Sequence, residues 1–341
     1  MLVRRPIAAL HWILVATAIP LAAQEVRRLP PVEDGGLPEG RLMEHREERA
    51  DFGRSAALAD IPLPEPLPPP DGDELPPGAR DGVFQKATLE STWLAPGSGA
   101  SGVGVTDVEV KSVFGFPCPT RTSPLVVTPG FAVHLFDGPQ VSDLPPEVFD
   151  AYLQFRWMSR VTPRLGVDFA VTPGWYSDFE HGGGDALRIT GHGAGAYTWS
   201  PSVKLVFGVA YLDRRDVAVL PIGGLIWTPR EEWSFELVSP RPRLARRVYW
   251  NGAAATDPEQ WIYLAGEFGG GTWSIERADG SPDVLTARDY RLILGMERKV
   301  VGGLNSLFEV GYVFGRRYEY ERGTPDVRPS DTVLLRAGVT Y

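Results

Sequence analysis

From about Phe84 to Tyr341 the chain runs in short stretches where apolar and polar residues alternate, separated by Gly, Pro, Asp and Ser. Asp107-Val108-Glu109-Val110-Lys111 is one such stretch and Arg164-Leu165-Gly166-Val167-Asp168-Phe169 is another. Phe308-Glu309-Val310-Gly311-Tyr312-Val313-Phe314 is a third. Successive side chains of a strand point to opposite faces, so a period of two predicts strands with one apolar face. No stretch of this half carries an apolar stripe at helical spacing over three turns. The segment is expected to be all-β.

Alternation alone also fits a secreted soluble β-sandwich binding module. Three features favour a single closed antiparallel transmembrane β-barrel. The polar face mixes isolated charges with Gly and Ala, as suits a crowded barrel interior, while the other face holds Val, Leu, Ile and Phe. Aromatic residues gather near the ends of the runs: Trp93, Trp157, Trp175, Tyr176, Tyr197, Trp199, Tyr211, Trp227, Trp233, Tyr249, Trp250, Trp261 and Tyr263. Trp and Tyr concentrate where water meets hydrocarbon, and two such girdles border the apolar band of outer-membrane barrels. The chain also ends on a predicted strand, with Val333, Leu335, Ala337, Val339 and Tyr341 on one face. That ending resembles the insertion signal of outer-membrane barrels.

Link lengths bear on the strand number. Short links are predicted at Thr162-Pro163, Ser200-Pro201, Pro229-Arg230 and Val301-Gly302. Longer ones are predicted at 95–103, 137–147, 177–185, 213–217, 279–285 and 321–330. The alternation breaks near Ser239 to Trp250, where Pro240 and Pro242 interrupt a possible long strand. A turn there gives 14 strands, and leaving the first hairpin outside the barrel gives 12. An odd count is excluded when both ends face the periplasm.

The first 82 residues differ. Arg4 and Arg5 precede a short apolar run from Ile7 to Val15 and small-residue cleavage sites, so residues 1–23 read as a secretory signal peptide. Residues 24–82 hold 14 acidic residues against 7 arginines, a net of −7 out of the chain's −9. Eight prolines fall between Ile61 and Pro77, which favours extended chain over helix or sheet. This segment is expected to be a largely disordered tether before the barrel of residues 83–341. No basic stripe suited to nucleic acid is present. Cys118 is the only cysteine, so a disulfide scaffold is excluded. Its place between Pro117 and Pro119 suggests an inert turn residue.

Two groups of residues could carry function. Charges on the polar face are expected to face the lumen: Asp107, Glu109, Lys111, Arg156, Arg164, Asp168, Arg291, Glu297, Glu309, Arg317 and Arg336, joined by Arg188, Glu236 and Glu267. The signs are balanced, whereas a selective pore shows a ring of one sign. These charges could line a channel or pair and fill the interior. The second group is the loop holding Asp178, Glu180, His181 and Asp185, whose carboxylates and imidazole are weak candidates for a metal or for a hydrolase's acid and base. A glycine-rich outer loop is the simpler reading, and these groups are not expected to converge. No catalytic set stands out, and no cofactor is expected, since glycine runs such as Gly191 to Gly195 open no helix.

Several pieces of the chain resemble an uncharacterised family of bacterial outer-membrane β-barrel proteins. They are Tyr211-Leu212-Asp213-Arg214, Leu220-Pro221 with Gly223-Gly224, Trp227-Thr228-Pro229 and Pro240-Arg241-Pro242. Gly266-Glu267-Phe268-Gly269-Gly270 with Trp273, Arg288-Asp289-Tyr290-Arg291 and Glu309-Val310-Gly311-Tyr312-Val313-Phe314 complete the set. The resemblance implies the fold and an outer-membrane location, with no activity. The expected role is a narrow passive pore or a structural barrel, with an outer-membrane hydrolase as the alternative. Expected partners are the lipid bilayer, the barrel-insertion machinery and a periplasmic protein meeting the Pro-rich tail.

Overall fold

The computed structural model describes residue 80 and residues 82–97, 101–138, 143–180, 183–214, 217–250, 257–322 and 326–341. The signal peptide and nearly all of the tether expected from the sequence lie outside these residues.

The described residues form β1 (Phe84–Leu94), β2 (Gly104–Thr120), β3 (Ser123–Asp137), β4 (Glu147–Thr162), β5 (Leu165–Ser177), β6 (Leu187–Ser200), β7 (Val203–Tyr211) and β8 (Val219–Arg230). There follow β9 (Trp233–Ser239), β10 (Arg243–Trp250), β11 (Glu259–Gly269), β12 (Thr272–Glu276), β13 (Pro282–Lys299), β14 (Asn305–Tyr320) and β15 (Thr332–Thr340). Fourteen of them close an antiparallel ring, in which β11 pairs with β13 and β15 returns to β1. Register fixes the closure: Thr88 faces Thr340 and Leu94 faces Leu334. The proline-marked break at 240–242 is a turn, and the first hairpin belongs to the wall, so 14 strands is the count.

Burial follows the predicted period of two. In β13 the buried residues Asp289, Arg291, Ile293, Gly295, Glu297 and Lys299 alternate with exposed Tyr290, Leu292, Leu294, Met296 and Arg298. The outer wall is therefore apolar and the inner face mixed. Apart from the 251–258 link, tight turns join the strands at the end where β1 begins and β15 ends (the turn end); apart from the short breaks at 240–242 and 270–271, longer links lie at the other, loop end.

The strand beyond the expected 14 is β12, whose alternation the sequence pattern does not separate from that of β11. β11 runs up the wall to Gly269 and then breaks. Gly270 has φ +102, a conformation L side chains rarely adopt, and a Cβ there would lie 2.0 Å from the carbonyl oxygen of Ala287. β12 stays paired with β13, from Thr272 opposite Thr286 to Glu276 opposite Pro282. Its other edge meets β5, parallel, at Ser274 and Ser177. At the loop end, β1 to β5 and β12 to β15 thus close a second, nine-stranded ring inside the circuit of the first. Wall strands bury one face, whereas β12 buries Thr272, Trp273, Ser274 and Ile275 in succession, because it has protein on both sides.

Every strand of the smaller ring contributes to one apolar core at the loop end. Leu94, Val105, Phe136, Val148, Tyr152 and Tyr176 come from β1 to β5, and Trp273, Ile275, Leu285, Val313, Tyr318 and Leu334 from β12 to β15. Phe136 on β3 touches Tyr318 on β14, ring centroids 6.0 Å apart, so side chains meet across the ring. The remaining wall is low on the loop side: β9 ends at Ser239 and β10 begins at Arg243, opposite Ala265. Above it, buried Arg214 lies over the Phe268 ring and donates to the Ala287 carbonyl at 2.8 Å.

Candidate functional site

Below the apolar core the interior is charged, and its centre is Arg336 on β15. Its Nε donates to Thr92 Oγ1 at 2.9 Å, Nη1 to Glu309 Oε2 at 2.6 Å and Nη2 to Glu267 Oε1 at 3.0 Å. Glu90 lies 3.3 Å from Nε. Glu267 also accepts from Arg291 at 3.1 Å, and Arg291 Nε donates to Asp289 at 2.6 Å. The Tyr263 hydroxyl donates to Glu309. A planar guanidinium with five donors suits such a hub, since it can serve several carboxylates at once.

Three further groups flank this hub. His134 on β3 stands between Asp107, 2.8 Å from Nδ1, and Asp150, 3.2 Å from Nε2. Asp150 accepts from Trp273 Nε1 at 2.6 Å, and Glu109 from the Tyr152 hydroxyl at 2.8 Å. Toward the turn end, Arg156 grips Asp168 through Nε and Nη2, with His192 3.5 Å away. Arg243 bridges Glu297 at 2.5 Å and Glu236 at 3.5 Å, and Lys299 joins Glu297 at 3.2 Å. A small cavity of about 40 Å³ lies between the apolar core and the hub, bordered by His134, Asp107, Trp273, Gly270, Asp289 and Arg291. A void measured this way needs about 10–15 Å³ to hold one water, so the cavity has room for water.

The structure thus brings together Asp107, Glu109, Lys111, Arg156, Asp168, Arg291, Glu297, Glu309 and Arg336 on the buried face, along with Glu236 and Glu267. Two residues of the predicted set lie elsewhere. Arg164 is exposed in the turn before β5. Arg317 leaves the interior because Gly315, with φ +63, inserts a bulge that reverses the alternation. Arg316 is buried in its place, and Arg317 pairs with Glu319 and Asp326 on the other face. Among the aromatics expected at interfaces, Tyr176, Trp261 and Tyr263 are instead buried, Trp261 and Tyr263 sharing the inward face of β11 with Ala265. Glu90, Asp150 and Asp289 were not singled out from the sequence, although Thr88-Leu89-Glu90-Ser91-Thr92 carries the same alternation.

In the 178–185 loop, His181 lies outside the described residues. Asp178 is buried and accepts from the backbone N–H groups of Glu180 at 3.1 Å and Glu276 at 2.6 Å. It ties two chain segments together, while Glu180 and Asp185 are exposed. Among the described residues no group of three or more His, Cys, Asp and Glu could hold a metal. Outside the wall, Arg277 bonds Asp143 at 2.6 Å and Asp283 at 2.8 Å. Its burial alone would lower its pKa, but the two carboxylates outweigh this and raise it above the ordinary arginine value.

No protein-family model and no curated protein matches the sequence. Among solved structures, the chain is similar to the deltaS2S3 mutant of the monoaromatic hydrocarbon channel TodX, at 11% identity and a TM-score of 0.39, over 77% of this chain and 90% of that one. Its deltaS2 mutant aligns at 12% identity and a TM-score of 0.31, over 77% and 90%. OccAB4 of Acinetobacter baumannii aligns at 10% identity and a TM-score of 0.29, over 78% and 99%. The barrel itself rests on this chain's own strand pairing. Arg214 reaches Phe268 and Ala287, and Pro242 accepts from the Gly266 N–H.

Proposed function

We propose that this chain is an outer-membrane barrel whose interior forms a narrow, weakly selective passive pore for small solutes. The observation that carries the membrane reading is the outer face of the closed ring. Leu292, Leu294 and Met296 on β13 and Phe308 and Val310 on β14 are exposed side by side. Exposed Tyr211, Tyr290, Tyr312 and Phe314 lie toward the loop end, and Trp199, Trp227 and Tyr249 toward the turn end. A large apolar surface in contact with water is unfavourable, whereas lipid covers such a band between two aromatic girdles.

The charged interior supports the pore reading. Apolar side chains of similar volume would fill a purely structural barrel at no loss of stability, and often with a gain. Both signs are present, which favours weak selectivity. On this reading residues 1–23 direct secretion, residues 24–82 tether the barrel in the periplasm, and the uncharacterised barrel family is the kinship.

Purified protein in a planar bilayer is expected to give small, stable conductance steps. Silence under all salt and voltage conditions would favour a structural barrel. Fractionation tests the membrane claim, since recovery from the soluble fraction without detergent would sink it. Leu294→Arg provides a quantitative check, because Leu294 is 57% exposed between two other apolar residues of the same face. At the bilayer midplane the change is expected to cost about 2–4 kcal/mol in a urea titration of the folded, heat-modifiable band. An effect within about 0.5 kcal/mol, typical of a water-exposed site, would count against lipid contact.

A further inference from the structure

The seams of the sheet are unequal. β11 and β13 share 11 register pairs, from Glu259–Lys299 to Gly269–Asp289. β12 joins β5 through one, Ser274 with Ser177. Besides the apolar packing of Trp273 and Ile275, polar ties from three aspartates hold β12 to that side. Asp178 Oδ2 accepts the Glu276 N–H at 2.6 Å, while its own N–H donates to the Ser274 carbonyl at 3.2 Å. Asp150 accepts the Trp273 indole N–H at 2.6 Å. Asp143 accepts from Arg277 Nε at 2.6 Å and from the Ala278 N–H at 3.1 Å. At the other end of the strand lies the break at Gly270, where only glycine fits.

We propose that β12 with the 277–281 link is the gate of the loop-end mouth, a strap hinged at Gly269–Gly271 and latched by Asp143, Asp150 and Asp178. The proposal rests on the pore reading above. With the latch made, β12 completes the nine-stranded ring and sets Trp273 and Ile275 into its apolar core. With the latch released, the ring loses one member, and the mouth is bounded by the fourteen-stranded wall. A barrel widens roughly in proportion to its strand number, so release of this one strand opens a much larger passage. Polar ties suit a latch, because water replaces each of their hydrogen bonds when the strap swings out.

The test uses the full chain carrying Cys118→Ser, so that introduced cysteines are the only thiols. Register partners across a sheet lie within the Cα spacing a disulfide spans, so S177C with S274C is expected to crosslink on oxidation. The oxidised protein is expected to open at least ten-fold less often in a planar bilayer than the same protein after dithiothreitol, with the C118S parent indifferent to both. A second measurement needs no conductance: S274C alone, labelled with a small maleimide, should react at least ten-fold faster when D150N and D178N are added. Asp178→Asn alone serves if the double change folds poorly. Failure to crosslink, equal opening when oxidised and reduced, or an unchanged labelling rate would overturn the gate while leaving any observed conductance in place. Faster labelling in a protein that never conducts would mean that the strap moves but the pore reading fails, and the gating role with it.

Discussion

Replacing Arg336 with methionine is expected to destabilise the barrel by about 3–5 kcal/mol, the usual cost of removing one partner from a buried ion pair. Arg336 is 2% exposed and serves Glu309 on β14, Glu267 on β11, and Glu90 and Thr92 on β1. Its loss takes the shared cation from three carboxylates in a poorly solvated interior, where charge without compensation is costly. Arg336→Lys should recover only part of the loss, since one ammonium cannot spread its donors over Glu267 and Glu309 as a planar fork does. Adding Glu309→Gln to the methionine variant should restore stability, because the two sites act on one network. The urea midpoint of the heat-modifiable folded band checks each variant. A loss below about 1 kcal/mol for Arg336→Met, the value of a solvated surface pair, would mean that the hub is open to water.

Gly270→Val should cost about 3 kcal/mol or more. A non-glycine residue held at positive φ carries about 1–3 kcal/mol of strain, and forced overpacking adds a comparable amount. The overlap here is with backbone: a Cβ would lie 2.0 Å from Ala287 O and 2.5 Å from Ala287 C. Neither atom can rotate away, so β11 and β12 must straighten or separate from β13. Straightening withdraws Trp273 from Asp150 and Ile275 from the core of the smaller ring. The expected signs are a lower urea midpoint and new protease cleavage in the 277–281 link. Gly223→Ala is the control, since a Cβ there meets nothing within 4 Å. Equal stability of the Gly270→Val variant and the parent protein would show that the break tolerates a side chain and that β12 is held by other means.

The candidate site was legible in part, and the boundary of legibility is physical. Glu309, Arg291, Glu297 and Arg336 alternate with apolar neighbours, so their placement on one face followed from the strand repeat. Their partners did not follow, because Glu267 meets Arg336 only after β13 and β14 have been laid between β11 and β15. Arg317 misled for a related reason: one glycine bulge at Gly315 reverses every later side chain of β14, and the sequence alone does not tell Gly315, which bulges, from Gly311, which does not. Asp178, Glu180, His181 and Asp185 offered a metal or a base, with a glycine-rich outer loop as the simpler reading and no convergence expected. In the fold Asp178 binds backbone N–H groups, the commoner fate of a buried aspartate beside a turn.

By itself the sequence determined the all-β pattern, an even count of 12 or 14 wall strands and the apolar outer face. Each depends on a repeat of two residues and on turn residues, which are local properties of the chain. Tertiary structure alone decided that β12 leaves the wall to meet β5. Thr272-Trp273-Ser274-Ile275-Glu276 alternates like any wall strand, and its departure depends on β10 beginning only at Arg243, opposite Ala265, on the positive φ at Gly270 and on three aspartates from distant segments. Those contacts exist only once the ring has closed, since closure is what sets β5 opposite β13 across the mouth.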